Sequence, residues 1–115
     1  MRALLAGLLV AAPVSLPPAA QAAPASPVVL SVAQTYAPSD VQVARGSSLT
    51  LVNADADRHD ITALDEDALG RPLFETPVLS PGQAAPVAGV ESLPPDTYQF
   101  FCSVHEYMRG TVTVA

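Results

Sequence analysis

Hydrophobic and polar positions alternate along this chain in short runs between turn-forming residues, and nowhere recur at helical spacing over a useful length. Val28-Val29-Leu30-Ser31-Val32 predicts a first strand that tails through Tyr36 to a turn at Pro38-Ser39-Asp40. Val41-Gln42-Val43 alternates cleanly, Arg45-Gly46-Ser47 turns the chain, and Ser48 to Asn53 reads as the next strand. Extended structure resumes from Asp60 to Leu64, just after His59 and an acidic loop at Asp55 to Asp57. Residues 65–78 are compatible with a short helix from Asp65 to Leu69 closed by Gly70, and equally with a loop. Leu79-Ser80-Pro81-Gly82 is a turn, and Gln83 to Val90 predicts an edge strand, because Pro86 has no N–H to give a ladder. The clearest strand runs from Thr97 to Cys102, after a turn at Pro94-Pro95-Asp96. Its period of two places Tyr98, Phe100 and Cys102 on one face and Gln99, Phe101 and Ser103 on the other. Thr111 to Val114 closes the pattern. About seven or eight strands at this spacing predict an all-β sandwich, with no internal repeat and no second domain.

The N-terminus adds a destination. Residues 1–22 carry one positive charge at Arg2, an apolar run, and Ala20-Gln21-Ala22 as a small-residue cleavage site. Pro13, Pro17 and Pro18 cut the run short of a bilayer span, so a cleavable signal peptide is expected rather than a membrane anchor. No cysteine follows the cleavage site and no twin arginine precedes it. Export of the unfolded chain and metal loading outside the cytoplasm are therefore expected, in the periplasm or beyond it. Residues 23–115 remain, enough for one domain with a modest core. The whole chain has a formal charge of −6 and no lysine, which excludes a basic face for nucleic acid. An acidic surface suits a basic partner, or serves solubility alone.

The inventory of metal-binding side chains is small enough to argue from. Past residue 22 the chain has a single cysteine (Cys102), two histidines (His59 and His105) and one methionine (Met108). No disulfide can form within it, and a bare thiol in an oxidising compartment is a liability unless something occupies it. Zinc would need carboxylates or water to complete a tetrahedron. Taken singly, each residue has an ordinary reading: a packed or surface histidine, a small buried hydrophobe, a core methionine. Taken together they sit at the ends of strands, His59 some 40 residues before the others. If those strands are neighbours, all four converge at one pole of the sandwich. Two imidazoles and a thiolate with a weak axial thioether form the donor set of a blue-copper electron-transfer site.

Four motifs carry a resemblance: V-x-V-x-x-G-x-x-L-T-L-V-N at 41–53, R-H-D-I at 58–61, L-S-P-G at 79–82, and P-x-T-Y-x-F-x-C-x-x-H-x-x-M-R-G at 95–110. From about Val28 to Val114 the chain resembles a cupredoxin of the plastocyanin/amicyanin type, and its short C-x-x-H-x-x-M spacing is similar to that of amicyanin. The resemblance implies a Greek-key sandwich binding one type 1 copper, with His59, Cys102 and His105 as equatorial ligands and Met108 as axial ligand. It implies a monomeric one-electron carrier between larger redox proteins rather than an enzyme. A copper oxidase or nitrite reductase would need further histidines, which this chain lacks. Delivery of copper itself is the alternative, disfavoured by the single methionine of the processed chain.

The chain departs from the family pattern at several places. Asp60 stands where Asn is usual, and can accept a hydrogen bond from the Ser103 N–H or hydroxyl while adding negative charge beside the metal. Val104 replaces a proline and so keeps an N–H near the sulfur. Glu106 and Tyr107 replace Pro and Phe in the ligand loop, Tyr107 being a candidate for a docking patch or for simple loop packing. Pro95-Asp96-Thr97 replaces P-G-T.

Overall fold

The alternation of apolar and polar residues is realised as eight short strands among the described residues. A computed structural model describes Gly7 and residues 26–115, so the expected signal peptide and its cleavage site lie, apart from Gly7, outside the described residues. The strands are β1 Val28–Val32, β2 Thr35–Ala37, β3 Asp40–Val43, β4 Thr50–Asn53, β5 Thr62–Ala63, β6 Ala84–Pro86, β7 Asp96–Phe101 and β8 Arg109–Val114. They form two four-stranded sheets, ordered β2-β1-β4-β6 and β3-β8-β7-β5. Pairing is parallel between β1 and β4 and between β3 and β8, and antiparallel elsewhere. The all-β sandwich expected from the sequence is the one observed, and the Pro86 strand is indeed an edge.

Period two decides what each strand buries. Val29, Val41, Val43, Leu51, Tyr98, Phe100, Val112 and Val114 all point inward, and each strand's intervening residues face outward or are only half-buried. Between the sheets the aromatic rings meet edge to face, Tyr36 on Phe100 at 4.9 Å and Phe74 on Tyr98 at 6.3 Å between centroids. Gly110 permits this packing where β8 pairs with β7, directly opposite Phe100. A Cβ there would lie 2.4 Å from Phe100 Cζ and 2.6 Å from the Ser39 carbonyl oxygen.

One stretch differs from the expectation drawn from the pattern, and a second takes one of the two forms the pattern left open. The first strand does not run on through Tyr36: the chain reverses at Ala33 and Gln34, and β2 folds back on β1. Both turn residues have left-handed φ, +49° and +55°, without the Gly or Asn that usually announces such a hairpin turn. Residues 65–78 adopt the loop alternative, with no helix from Asp65 to Leu69. The Asp67 carboxylate accepts the N–H groups of Leu69 and Arg71 at 2.8 and 3.0 Å, a local competitor to helical bonding. Backbone bonds from Leu73 to Asp65 and from Ala63 to Phe74 then stitch the loop to β5, so that Phe74 is buried in the core.

Replacing Gly110 with Ala is expected to lower unfolding free energy by about 1–3 kcal/mol, because the added methyl meets both an aromatic ring and a backbone oxygen. Urea unfolding of the two proteins measures it.

Candidate metal centre

Antiparallel pairing of β5 with β7 sets Thr62 opposite Phe101. Continuing past that pair in the same direction leads to His59 on one strand and Cys102 on the other, which brings residues 43 positions apart to one end of the sheet. His59 is held there by a two-way backbone bridge with Leu79, at 3.1 and 2.8 Å. On the other side a tight loop connects β7 to β8. The Cys102 N–H donates to the Met108 carbonyl at 3.2 Å, and the Met108 N–H to the His105 carbonyl at 2.9 Å. All four residues singled out from the sequence thus meet at one pole: His59, Cys102 and His105 with side-chain donor atoms together, and Met108 on the same loop, buried.

Each histidine turns its Nδ1 toward the thiol, 3.8 Å from Cys102 Sγ for His59 and 3.9 Å for His105. The three donor atoms lie within 4.8 Å of one another. A first-row ion with bonds of about 2.0–2.1 Å to nitrogen and about 2.3 Å to sulfur, near a trigonal angle, would separate N and S by about 3.8 Å. The spacing fits an ion held between them. A thiolate and two imidazoles, with a thioether nearby and no carboxylate among the converging donors, suit copper better than a hard cation. Cys102 and His59 are fully buried, whereas the His105 side chain keeps 18% of its surface exposed.

Asp60 does what its position predicted, through both oxygens. Its Oδ1 accepts the Ser103 N–H at 2.7 Å, and its Oδ2 accepts the Ser103 hydroxyl at 2.5 Å. The carboxylate therefore ties the His59 strand to the Cys102 loop and leaves a negative charge next to both. Tyr36 donates its hydroxyl to the Asp60 carbonyl at 2.5 Å. Burial first, then the neighbouring Cys102 and Asp60, push that phenol far above the usual tyrosine range, so it remains a neutral donor.

One residue near the site carries a role that the sequence did not suggest. Asp55, an acid of the loop that leads into His59, places Oδ2 2.8 Å from His59 Nε2. The same oxygen accepts the Gln34 N–H at 2.8 Å, and Oδ1 accepts the Ala56 N–H at 2.7 Å. These donors, Gln34 foremost and then His59, hold the Asp55 carboxyl below its usual range. The only signal in the sequence is the spacing of Asp55 four residues before His59, meaningful only once the loop's shape is known. Asp57 is more exposed and stands 3.8 Å from His105 Nε2. Tyr107 is exposed, packs edge-on against the His105 ring at 5.9 Å between centroids, and donates its hydroxyl to Gln34.

A family model described as a cupredoxin-like domain matches residues 4–114. The chain belongs to the cupredoxin-like family. Among solved structures this cupredoxin is similar to a purple cupredoxin from Nitrosopumilus maritimus, at 25% identity and TM-score 0.64, over 78% of this chain and 100% of that one. A reduced amicyanin variant matches at 26% identity and TM-score 0.66, over 84% of this chain and 88% of the other. A copper-containing nitrite reductase from Thermus scotoductus SA-01 matches at 26% identity and TM-score 0.65, over 81% of this chain but 23% of the enzyme. A search of curated proteins finds no match. Copper is the cofactor that family and donor chemistry together assign to this cupredoxin.

Removing the Asp60 charge while keeping its shape tests the electrostatic reading. Asp60→Asn is expected to raise the reduction potential by roughly 50 mV or more, since a unit charge a few ångströms away at an effective dielectric of about 20 is worth a few kcal/mol before screening. An unchanged potential in voltammetry contradicts it.

Proposed function

We propose that His59, Cys102 and His105 are the equatorial ligands and Met108 the axial ligand of one copper ion, and that the protein is an exported one-electron carrier. It works between larger redox proteins and is not itself an enzyme. The observation that carries this reading is the convergence of two Nδ1 atoms on one buried sulfur, with a single histidine edge left partly open. When bound, copper supplies the one-electron couple between Cu(II) and Cu(I).

The chain's own residues support the rest. Cys102 and His59 are buried and anchored through backbone bonds to β5, β7 and Leu79, so their donor atoms have little room to rearrange between oxidation states. Water is kept from the sulfur by the surrounding core. His105 is the partly open ligand, and Val104 and Tyr107 beside it are exposed. That edge is the place for a partner to dock and for the electron to leave. Both histidines of the chain are spent on one centre, which leaves none for the second metal site that a copper enzyme of this fold would need. Among the described residues no helix is long and apolar enough to cross a membrane. Export to the periplasm or beyond it rests on the N-terminal sequence pattern.

Titration of the purified protein with Cu(II) is expected to give the intense blue thiolate-to-copper absorption, absent from Cys102→Ala. Reversible one-electron voltammetry with retention of the metal against an apo acceptor supports an electron carrier. Ready loss of copper to that acceptor would instead support delivery, and absence of colour would contradict the site.

A further inference from the structure

We infer that Asp55 is a positioning residue for the copper site: its carboxylate, held in place by the backbone of Gln34, sets the tautomer of His59 and raises the imidazole's donor strength. The inference rests on His59 being a copper ligand and adds a residue that the donor set itself does not include.

The argument starts from hydrogen-bond inventory. A neutral imidazole carries one N–H, and an ionised carboxylate can only accept. His59 is fully buried and its Nε2 lies 2.8 Å from Asp55 Oδ2, so the ring proton belongs on Nε2. The lone pair is then left on Nδ1, the nitrogen that faces Cys102 Sγ. A ring with the opposite tautomer would press a lone pair against the carboxylate and an N–H against the metal position. A carboxylate behind a ligating imidazole also increases its basicity, which favours the more highly charged metal state.

The carboxylate is itself fixed. Its side chain is 15% exposed, and Gln34 N–H, Ala56 N–H and His59 Nε2 surround its two oxygens. Gln34 can reach it because the β1–β2 turn adopts left-handed φ at two non-glycine residues, and such strain persists only where surrounding contacts hold it. The Gln34 side chain points away from that carboxylate's oxygens, donating from Nε2 to Asp57 at 3.2 Å and accepting from Tyr107, so the hold on Asp55 is through the Gln34 backbone. Asp57 shares the charge but not the role. It is 55% exposed and 3.8 Å from His105 Nε2, beyond hydrogen-bond reach.

The test compares Asp55→Ala, Asp55→Asn and Asp57→Ala with the unaltered protein. In metal-free protein, followed over alkaline pH until the ring nitrogens show a single proton, nitrogen chemical shifts should report an Nε2–H tautomer for His59. Asp55→Ala should lose that preference and bind Cu(II) about 10–100-fold more weakly. For every tenfold by which Cu(II) weakens more than Cu(I), the potential should rise by about 59 mV. Asp55→Asn keeps an acceptor but not the charge, and should retain the tautomer with intermediate affinity. Asp57→Ala, with the same net charge as Asp55→Ala, should change neither reading. An Nδ1–H tautomer in the unaltered protein overturns the inference, as does equal loss of affinity in the Asp55 and Asp57 variants. If Asp55→Ala does not fold, Asp55→Asn against Asp57→Asn decides on Cu(II) affinity. Protein that takes up no copper contradicts the proposed function. Blue protein whose Asp55 variants bind Cu(II) unchanged overturns this inference alone.

Discussion

The buried amide of Asn53 is the contact on which the metal centre depends. Its Nδ2 donates to the carbonyls of Asp57 and Leu79 at 2.7 and 3.0 Å. Its Oδ1 accepts the Ser31 hydroxyl at 2.9 Å and the Asp55 N–H at 3.0 Å. Every donor and acceptor of the side chain is used, at a position with no solvent exposure. One amide thus joins β1, the end of β4, the acidic loop and the segment that bridges His59. An apolar side chain there would leave two carbonyls and an N–H to be desolvated without these partners, at about 1–3 kcal/mol each. The acidic loop would also lose the contacts that set its path toward His59.

From that anchor the site is assembled from two sides. The first brings His59 and Asp55 on a loop fastened to the β1–β4–β6 sheet through Asn53; the second brings Cys102, His105 and Met108 on the connection between β7 and β8. Asp60 crosses between them through Ser103. The centre therefore has negative charge at Asp55 and Asp60 on its inner side, and a partly open histidine with Tyr107 and Val104 on its outer side. The inner charges act on the copper ion, and the outer edge is the part of the centre open to solvent. Separating the two lets one surface vary for partners without disturbing the donor atoms.

Much of this could be read from the chain because the fold's signals are local. Alternation marked Val28–Val32, Val41–Val43, Thr97–Cys102 and Thr111–Val114, each close to an observed strand. The four candidate ligands stood out because residues 23–115 hold so few soft or imidazole donors that one site could absorb them all. What escaped depended on tertiary register. Ala33 and Gln34 carry no turn signature, so the hairpin that separates β1 from β2 was invisible, and Tyr36 looked like the tail of the first strand. Residues 65–78 take their shape from distant backbone partners and from Asp67 rather than from any periodicity. Asp55 looked like one solvated acid among several, because nothing local says that its oxygen will meet a histidine ring already committed through its other nitrogen. Asp60 was legible only because its neighbour His59 had already been assigned by resemblance.

X-ray absorption at the copper edge of the loaded protein, in both oxidation states, reads which side chains hold the ion and whether they move. One short sulfur distance and two imidazole nitrogens that change little on reduction are expected, as the buried, doubly anchored positions of Cys102 and His59 require. A first shell of oxygen and nitrogen without sulfur, or one that rearranges on reduction, would contradict the proposed copper site.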